Sequence, residues 1–181
     1  MHFMPLPIAG CFRIEVERRE DDRGFFARTF SADEFAAHGL KTEFVQRSVS
    51  FNHRRGTVRG LHYQAEPHAE TKIVRCTAGA AFDVVVDIRR SSPSFGCWHG
   101  ETISADNRAM IYIPAGCAHG FQALADATEL YYEITPAYAP ASVRGIAFDD
   151  PDLAIRWPLQ SPIVSPADLG RSAFRSAELS R

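Results

Sequence analysis

The chain has 181 residues, the size of one large domain or two small ones. Hydrophobic residues make up 45% and charged residues 23% of the chain, a composition that argues against a disordered or fibrous protein. The formal charge is −2, so the chain lacks the overall basic field on which nucleic-acid binding depends. We therefore expect a globular protein that does not bind nucleic acid.

No apolar segment is long enough to predict a membrane-spanning helix. The richest one, Ala78–Ile88, is interrupted by Asp83 and Asp87, and the first residues show no basic segment followed by an apolar one. We expect a cytoplasmic protein that does not associate with membranes. In a reducing compartment, cysteines without close spacing act as small apolar residues; these are Cys11, Cys76, Cys97 and Cys117.

The first predicted element is a short helix at residues 32–38. Ser31 and Glu34 have the spacing of a capping box, in which a hydroxyl and a carboxylate satisfy free amides at the start of a helix. Gly39 can end the helix in the left-handed conformation. We therefore expect about two helical turns ahead of the strands.

Short apolar segments separated by Gly, Pro and Asn dominate the rest of the chain and predict strands. In the clearest one, Phe82, Val84, Val86 and Ile88 share one face, because side chains alternate along a strand. Such regular spacing is typical of an all-β sandwich or barrel. The other segments are Thr42–Phe51, Thr57–Gln64, Thr71–Thr77, Gly100–Ser104, Ala109–Pro114 and Thr128–Thr135.

A second short helix is predicted near the end of the chain. Ser165 has the position of an N-cap and Pro166 that of the first helical residue. The polar tail at residues 170–181 is expected to fray. Since no repeat or linker-like change in composition divides the chain, we assign residues 1–181 to one domain with a core from about residue 5 to residue 169.

The segment Tyr112–Gln122 contains the pattern Pro-x-Gly-x-x-His, which ends at His119 and is typical of the cupin-type double-stranded β-helix. Metal-binding cupins carry an earlier His-x-His, where this chain has His62 alone. Two isolated histidines lack the third and fourth ligands that zinc or iron requires. We therefore expect no metal, and the alternative is a metal-dependent cupin oxygenase or isomerase that uses both histidines.

A series of blocks makes a family resemblance specific. The blocks are Asp22-Arg23-Gly24-Phe25-Phe26, Arg59-Gly60-Leu61-His62-Tyr63-Gln64, Lys72–Arg75, Phe82–Arg89, Ala118-His119-Gly120-Phe121, Asp149-Asp150-Pro151 and Trp157-Pro158. In this order they resemble the dTDP-4-dehydrorhamnose 3,5-epimerase family. The resemblance implies an all-β, cupin-type double-stranded β-helix (jelly-roll) barrel with short peripheral helices.

The resemblance also implies what the protein does. It points to a cofactor-independent isomerase that epimerises a 4-keto-6-deoxyhexose, most often dTDP-linked, at C3, C5 or both. It further implies a homodimer that exchanges N-terminal strands and builds each pocket from both subunits. A non-catalytic sugar-binding cupin is a competing interpretation, but a binding protein has no need of an acid and a base on opposite walls.

The chemistry of a 4-keto sugar defines the groups that are needed. Protons on C3 and C5 are acidic because both carbons adjoin the C4 carbonyl, so the reaction requires a base, enolate stabilisation and an opposing acid. The resemblance assigns the base to His62 and the carboxylate that orients it to Asp168. Outside this context, His62 is interpreted as a core histidine and Asp168 as a carboxylate in the first turn of a helix.

Tyr131, Tyr132 and Tyr138 are candidates for the acid, because a phenol donates a proton and is neutral at pH 7. Strand alternation places Tyr132 on the same face as Leu130 and Ile134 and opposite Tyr131. The family's tyrosine lies six residues before its Tyr-x-Pro, which gives Tyr132; the alternative is an aromatic that fills the barrel. Tyr138 matches an aromatic that stacks near the nucleotide, or covers the edge of the core.

The resemblance assigns further residues to substrate binding. Arg59 and Lys72 match cationic positions that contact substrate oxygens, with a salt bridge to Asp83 or Asp87 as the alternative. The other assigned positions are Phe26, Gln46, Arg23 (a diphosphate contact, or a residue of a solvated turn) and His119 (a substrate contact, or a cap on the Pro-x-Gly turn).

Four positions depart from the family's pattern. Common members have Glu at the position of Arg28, Asn at Ser48, Glu at Val143 and Lys at Ala167. All four are nucleotide or sugar contacts, so the expected catalytic residues are kept while the recognition residues differ. The sequence therefore leaves open the nucleotide, the sugar and whether one or two centres are inverted.

Overall fold

The computed structural model describes residues 1–177, and in this range the chain is built mainly of β-strands. The helices are α1 (Ala32–Ala37) and α2 (Pro166–Leu169), with 3-10 turns at Pro140–Ser142 and Phe174–Ser176. The strands are β1 (His2–Pro5), β2 (Phe12–Glu15), β3 (Arg19–Asp21), β4 (Gly24–Phe26), β5 (Gln46–Asn52), β6 (Thr57–Gln64), β7 (Thr71–Ala78), β8 (Ala80–Asp87), β9 (Trp98–Ser104), β10 (Met110–Ile113), β11 (Cys117–Ala123), β12 (Thr128–Thr135), β13 (Val143–Gly145) and β14 (Ile163–Val164).

Two large sheets form the body of the protein. The first has the order β1-β2-β10-β7-β12-β5, and the second has the order β13-β6-β11-β8-β9, with β14 also paired to β6. Strands adjacent in the chain, such as β10 and β11, lie in different sheets, as in a jelly roll. The predicted cupin-type barrel is confirmed, while β3 and β4 form a separate two-stranded hairpin.

Apolar side chains from both sheets meet in the barrel interior. Val74 and Leu130 of the first sheet pack in one cluster with Val85, Ile103 and Phe121 of the second. All five are buried, and burying side chains of this size supplies about 1.5–3 kcal/mol each. These side chains form a packed core between the two sheets.

The outer face of each sheet is covered as well. Helix α1 places Phe35, which is fully buried, against Ile73 and Tyr112 of the first sheet. The predicted apolar face of β8, with Val84 and Val86, packs beneath the C-terminal segment, defined here as residues 146–177. The opposite face of β8 consequently points into the barrel.

The helix at residues 32–38 is confirmed as α1, but its predicted capping box does not form. The Ser31 side chain makes no capping hydrogen bond. The Glu34 carboxylate instead accepts a hydrogen bond of 2.8 Å from the amino group of Met1. A nearby cation has replaced the backbone amide as the partner, and Gly39 does adopt the left-handed conformation, with φ of +70°.

The tail after Gly170 differs from the expectation as far as residue 177. The backbone amide of Phe174 donates to buried Asp150, and its ring packs against Phe95. The carbonyl of Ser172 accepts from the amide of Ala147. These contacts dock the tail, while the remainder of the predicted frayed region, residues 178–181, lies outside the described residues.

The strand predictions hold best where a strand is long. The predicted segment Thr42–Phe51 is too long at its start, since β5 begins at Gln46. The sequence predicts a histidine after the Pro-x-Gly turn, and the structure shows that this histidine lies in a further strand, β11. The N-terminal strands β1 to β4 were also not predicted. Within residues 1–177, no helix has the length and apolar character needed to span a bilayer.

Candidate active site

A cavity of about 340 Å³ opens between the two sheets, and seven of the residues singled out from the sequence are gathered in its walls. Side chains from β6 and β11 of the second sheet face those from β5, β7 and β12 of the first. The seven residues are Ser48, Arg59, His62, Lys72, His119, Tyr132 and Tyr138.

The predicted His62–Asp168 pair is present. The Nε2 atom of His62 on β6 lies 2.6 Å from Oδ1 of Asp168 on α2. The hydroxyl of Ser165 accepts a hydrogen bond of 3.1 Å from the amide of Asp168, so the predicted N-cap fixes this carboxylate at the helix start. The His62 side chain is 37% exposed and that of Asp168 only 7%, which leaves the imidazole open to the cavity.

In each member of the pair, burial and the His62–Asp168 hydrogen bond shift the pKa in opposite directions. Burial lowers the pKa of His62 below its ordinary value, although the hydrogen bond to Asp168 acts in the opposite direction. Burial would raise the pKa of Asp168, but the hydrogen bond and charge of His62, together with hydrogen bonds from Gly60 and Ser165, outweigh it, so the carboxyl pKa is lowered. At neutral pH the pair is therefore a neutral imidazole held by a carboxylate, which is the arrangement of a general base.

Tyr132 reaches the cavity from the other sheet. It lines the wall with Ile134 on the predicted face of β12, while Tyr131 on the opposite face stacks against Arg75. The ring centroids of Tyr132 and His119 lie 6.0 Å apart. Burial raises the pKa of Tyr132 well above its ordinary value, with a further contribution from Asp83. The phenol thus keeps its proton and can act as a donor.

A second histidine–carboxylate pair was not predicted. Nε2 of His119 lies 2.8 Å from Oδ2 of Asp83, and both side chains are buried. His119 is paired directly with His62 across β11 and β6, so the two imidazoles share one face. The alternative of a cap on the Pro-x-Gly turn is wrong, because Asp83 holds the ring from β8.

The two cationic residues have partners other than those considered. Lys72 Nζ lies 2.7 Å from Oε1 of Glu70, and both side chains are 9% exposed. Arg59 donates from Nε to Asn52 Oδ1 at 2.8 Å and also bonds the carbonyl of Phe51. The alternatives of salt bridges to Asp83 or Asp87 are wrong, since Asp83 holds His119 and Asp87 holds Arg89 at 2.7 Å.

A strand irregularity brings Arg59 and His62 to the same cavity. Residues three apart point to opposite faces of a regular strand, yet both line the cavity. The register of β6 against β11 shifts between His119 and Phe121, and Gly60 lies at that place with φ of +129°. A Cβ on Gly60 would lie 2.6 Å from the backbone of Gly120, so this close approach requires glycine.

Gln46 and Tyr138 lie together at the mouth of the cavity. Gln46 Oε1 accepts a hydrogen bond of 2.5 Å from the backbone amide of Tyr138. The Tyr138 ring is 57% exposed and forms part of the wall. Gln46 therefore positions the loop that presents Tyr138, and the exposed ring offers a flat surface for stacking.

Two of the assigned binding residues are not brought to this cavity. Arg23 lies in the β3–β4 hairpin with its side chain 90% exposed, 2.6 Å from Asp21 Oδ2. Phe26 in the same hairpin is 70% exposed and lines a separate cavity of about 570 Å³ with Arg75 and Arg108. Within one copy of residues 1–177, these two side chains are apart from His62.

The four positions that differ from the family's pattern lie in different parts of the structure. Ser48 lines the main cavity. Val143 lines an adjoining space of about 260 Å³, which we call the side chamber. The walls of the side chamber are formed by His62, Tyr63, Gln64, Glu70, Tyr138, Val143 and Arg171. Ala167 is exposed on α2. Arg28 lies outside, 3.7 Å from Glu34.

Histidine, cysteine, aspartate and glutamate side chains are the usual protein ligands of zinc and iron. In the described part of the chain, no group of three or more of them is placed to hold a metal ion. His62 and His119 are instead each bonded to one carboxylate. The metal-dependent alternative therefore gains no support from the arrangement of these residues.

Comparison with known proteins decides the family. The sequence model of the dTDP-4-dehydrorhamnose 3,5-epimerase family matches residues 5–176. The chain belongs to this family. It is 45% identical to the dTDP-4-dehydrorhamnose 3,5-epimerase of Shigella flexneri over 159 residues, 87% of each chain. The expected family and the assignment as a carbohydrate epimerase are confirmed.

Two other relatives show the range of the family. A dTDP-4-dehydrorhamnose 3-epimerase of Streptomyces niveus is 41% identical over 169 residues, 93% of this chain and 81% of that protein. The crystal structure of the 3,5-epimerase of Legionella pneumophila in complex with dTDP-4-keto-L-rhamnose superposes with a TM-score of 0.93 and 37% identity, covering 99% of this chain and 97% of that one. The relatives of this chain thus include both a 3-epimerase and 3,5-epimerases by name.

The electrostatic balance at His62 can be measured directly. Because Asp168 opposes the effect of burial, Asp168→Asn should lower the pKa of His62 further, so that the imidazole protonates only at more acidic pH. NMR titration of the His62 ring nitrogens in both proteins tests this. The matched control is Asp152→Asn, an exposed carboxylate paired with Arg175, which should leave the His62 titration unchanged; an unchanged or raised pKa in Asp168→Asn would contradict the expectation.

Proposed function

We propose that the protein epimerises a nucleotide-linked 4-keto-6-deoxyhexose at C3, C5 or both, with His62 as the base and Tyr132 as the acid. One observation carries the proposal: a histidine bonded to a buried carboxylate on β6 and a protonated phenol on β12 line the same cavity from different sheets. A base and an acid on opposite walls can address opposite faces of one sugar ring.

The proposed reaction needs only proton transfers. His62 takes the proton from the carbon beside the C4 carbonyl, and the electron pair of the broken C–H bond moves into the carbonyl to form an enolate. Asp168 stabilises the resulting imidazolium. Tyr132 then donates its proton to the same carbon from the opposite face, which forms the inverted C–H bond, and both residues recover their protonation states from solvent.

The enolate oxygen requires donors that do not need to rearrange. Lys72 and Arg59 supply such donors from the cavity walls, each held by a bond to its neighbour. We assign His119 to the same group, because Asp83 keeps its ring fixed and directed into the cavity. These three residues bind the oxygens of the substrate in our proposal.

The nucleotide is proposed to be dTDP. Support comes from the relatives, since the Legionella pneumophila enzyme binds dTDP-4-keto-L-rhamnose and the Bacillus anthracis 3,5-epimerase binds TDP. In this chain the exposed ring of Tyr138, positioned by Gln46, offers a stacking surface for the base. We also place the reaction in the cytoplasm, which agrees with four free cysteines among the described residues.

Arg23 and Phe26 are assigned to the pocket of a second subunit. Both are strongly exposed on the β3–β4 hairpin, and an exposed phenylalanine is a common element of protein interfaces. We propose a homodimer in which this hairpin reaches the partner's cavity, with Arg23 directed to the diphosphate and Phe26 opposite Tyr138. The pocket described above is then completed only in the dimer.

The overall proposal is tested by incubation in deuterated water with dTDP-, CDP- and GDP-linked 4-keto sugars, with deuterium read at C3 and C5. His62→Ala should abolish the exchange at every exchanging carbon while the fold is retained, because a general base contributes about 10²- to 10⁴-fold in rate. His53→Ala, at an exposed position outside the cavity, is the matched control. A loss of less than about tenfold in His62→Ala would assign proton abstraction to another residue.

Tyr132→Phe separates the two proton transfers. It keeps the packing of the ring and removes only the hydroxyl, so ligand binding should persist while inversion fails. Deuterium should still enter with retention of configuration, because His62 continues to remove the proton. Tyr131→Phe, on the opposite strand face against Arg75, is the control; if it is inactive while Tyr132→Phe inverts normally, the acid is assigned incorrectly.

The dimer is tested by complementation. In mixed subunits of His62→Ala and Arg23→Ala, one pocket of each heterodimer combines an intact His62 with an intact Arg23 from the partner. Random mixing of two inactive variants should then restore about a quarter of wild-type activity. Absence of recovery, with mixing verified and a dimer seen by light scattering, would place Arg23 in its own subunit's pocket, and a monomer would reject the dimer itself.

A further inference from the structure

The side chamber continues the main cavity past His62. His62, Glu70 and Tyr138 belong to the walls of both spaces, so the two form one cleft. The main cavity holds the proposed acid, base and enolate donors. The side chamber holds Arg171 and the apolar Val143, and it has the same Tyr138 ring at its mouth. A ligand anchored at Tyr138 can therefore extend into either space.

Arg171 is held in the chamber wall without a hydrogen bond at its inner nitrogen. Its side chain is 27% exposed, and Nε lies 3.6 Å from Asp168 Oδ1, which is too long for a hydrogen bond. Nε is buried and has no hydrogen-bond partner in residues 1–177. A Cβ on Gly145 would lie 2.6 Å from this nitrogen, so the stem of Arg171 is packed against β13. The terminal nitrogens are the donors that a ligand can reach.

The charge balance of the cleft leaves two guanidinium groups without a carboxylate hydrogen bond. Lys72 is paired with Glu70, and the near oxygen of Asp168 is taken by His62. Within residues 1–177, Arg59 bonds to a neutral amide and a backbone carbonyl. Arg171 is in an ion pair with Asp168 through Nε at 3.6 Å, but both guanidinium groups keep hydrogen-bond donors that an anionic ligand can satisfy.

We propose that Arg171 is a substrate-binding residue that contacts a phosphate oxygen of the nucleotide diphosphate in the side chamber. The inference rests on the proposed function, because the diphosphate belongs to the nucleotide sugar. Phosphate suits the planar guanidinium fork, which can donate two parallel hydrogen bonds. Glu70 in the chamber wall is bonded to Lys72, and the nearest oxygen of Asp168 is bonded to His62, so neither carboxylate is directed at the terminal nitrogens of Arg171.

The test compares dTDP with thymidine, which carries the same base and deoxyribose without charge. Arg171→Gln should weaken the affinity for dTDP by about 10- to 100-fold, the range for a hydrogen bond to a charged group. The affinity for thymidine should be unchanged. Arg171→Lys, which keeps the charge but not the fork, should fall in between. The matched control is Arg175→Gln, since Arg175 is 81% exposed and paired with Asp152 outside the cleft.

Each other outcome overturns the proposal. Unchanged dTDP affinity in folded Arg171→Gln would reject it. A loss of kcat with a shifted pH profile and unchanged dTDP affinity would make Arg171 a positioning residue for Asp168 instead. Equal losses for dTDP and thymidine would indicate a structural role, which melting temperatures of both Arg171 variants would reveal. If the wild type binds dTDP but exchanges no deuterium into 4-keto sugars, the epimerase proposal fails while the binding role of Arg171 is still decided.

Discussion

The hydrogen bond between His62 and Asp168 is the interaction on which the site depends, because it joins two parts of the chain that are 106 residues apart in sequence. His62 belongs to the second sheet, whereas Asp168 arrives on the C-terminal segment that covers the outer face of that sheet. The Ser165 cap and the buried Asp150 anchor this segment. Without Asp168, the hydrogen bond and charge that oppose the effect of burial would be lost, so the pKa of His62 would fall and the imidazole would be a weaker base.

Local patterns in the sequence were sufficient for the elements that hold the dyad and the acid. A Ser-Pro pair predicts α2 from the chemistry of one helix turn, and alternation along β12 separates Tyr132 from Tyr131 without knowledge of its neighbours. The partners of His119 and Lys72 could not be found in this way. Asp83 meets His119 only because β8 and β11 pair in a particular register, which depends on the whole sheet.

Other differences have equally specific physical causes. The capping box at Ser31 fails because the amino group of Met1, distant in sequence, offers Glu34 a stronger partner. Regular alternation along β6 would place the side chains of Arg59 and His62 on opposite faces. The irregular pairing at Gly60 brings both side chains to the cavity. Arg23 is a site residue by resemblance but lies on an exposed hairpin away from His62 within one subunit. In the proposed dimer its pocket belongs to the partner, and such a contact is not encoded in the folding of one chain alone.

The residues of the cleft that we propose for proton transfer are held differently from those that we propose for nucleotide binding. The proposed proton-transfer groups are each fixed by a contact inside the protein: a carboxylate for His62, and packing against the barrel core for Tyr132. The groups proposed to face the nucleotide are fixed less completely, because Tyr138 is exposed and Nε of Arg171 has no hydrogen-bond partner within residues 1–177. Residues of the first kind must be preorganised, since they stabilise a charge that forms only during the reaction. Those of the second kind can differ between family members, as at Val143 and Ala167, provided that the cleft still presents cations where we propose that the diphosphate binds.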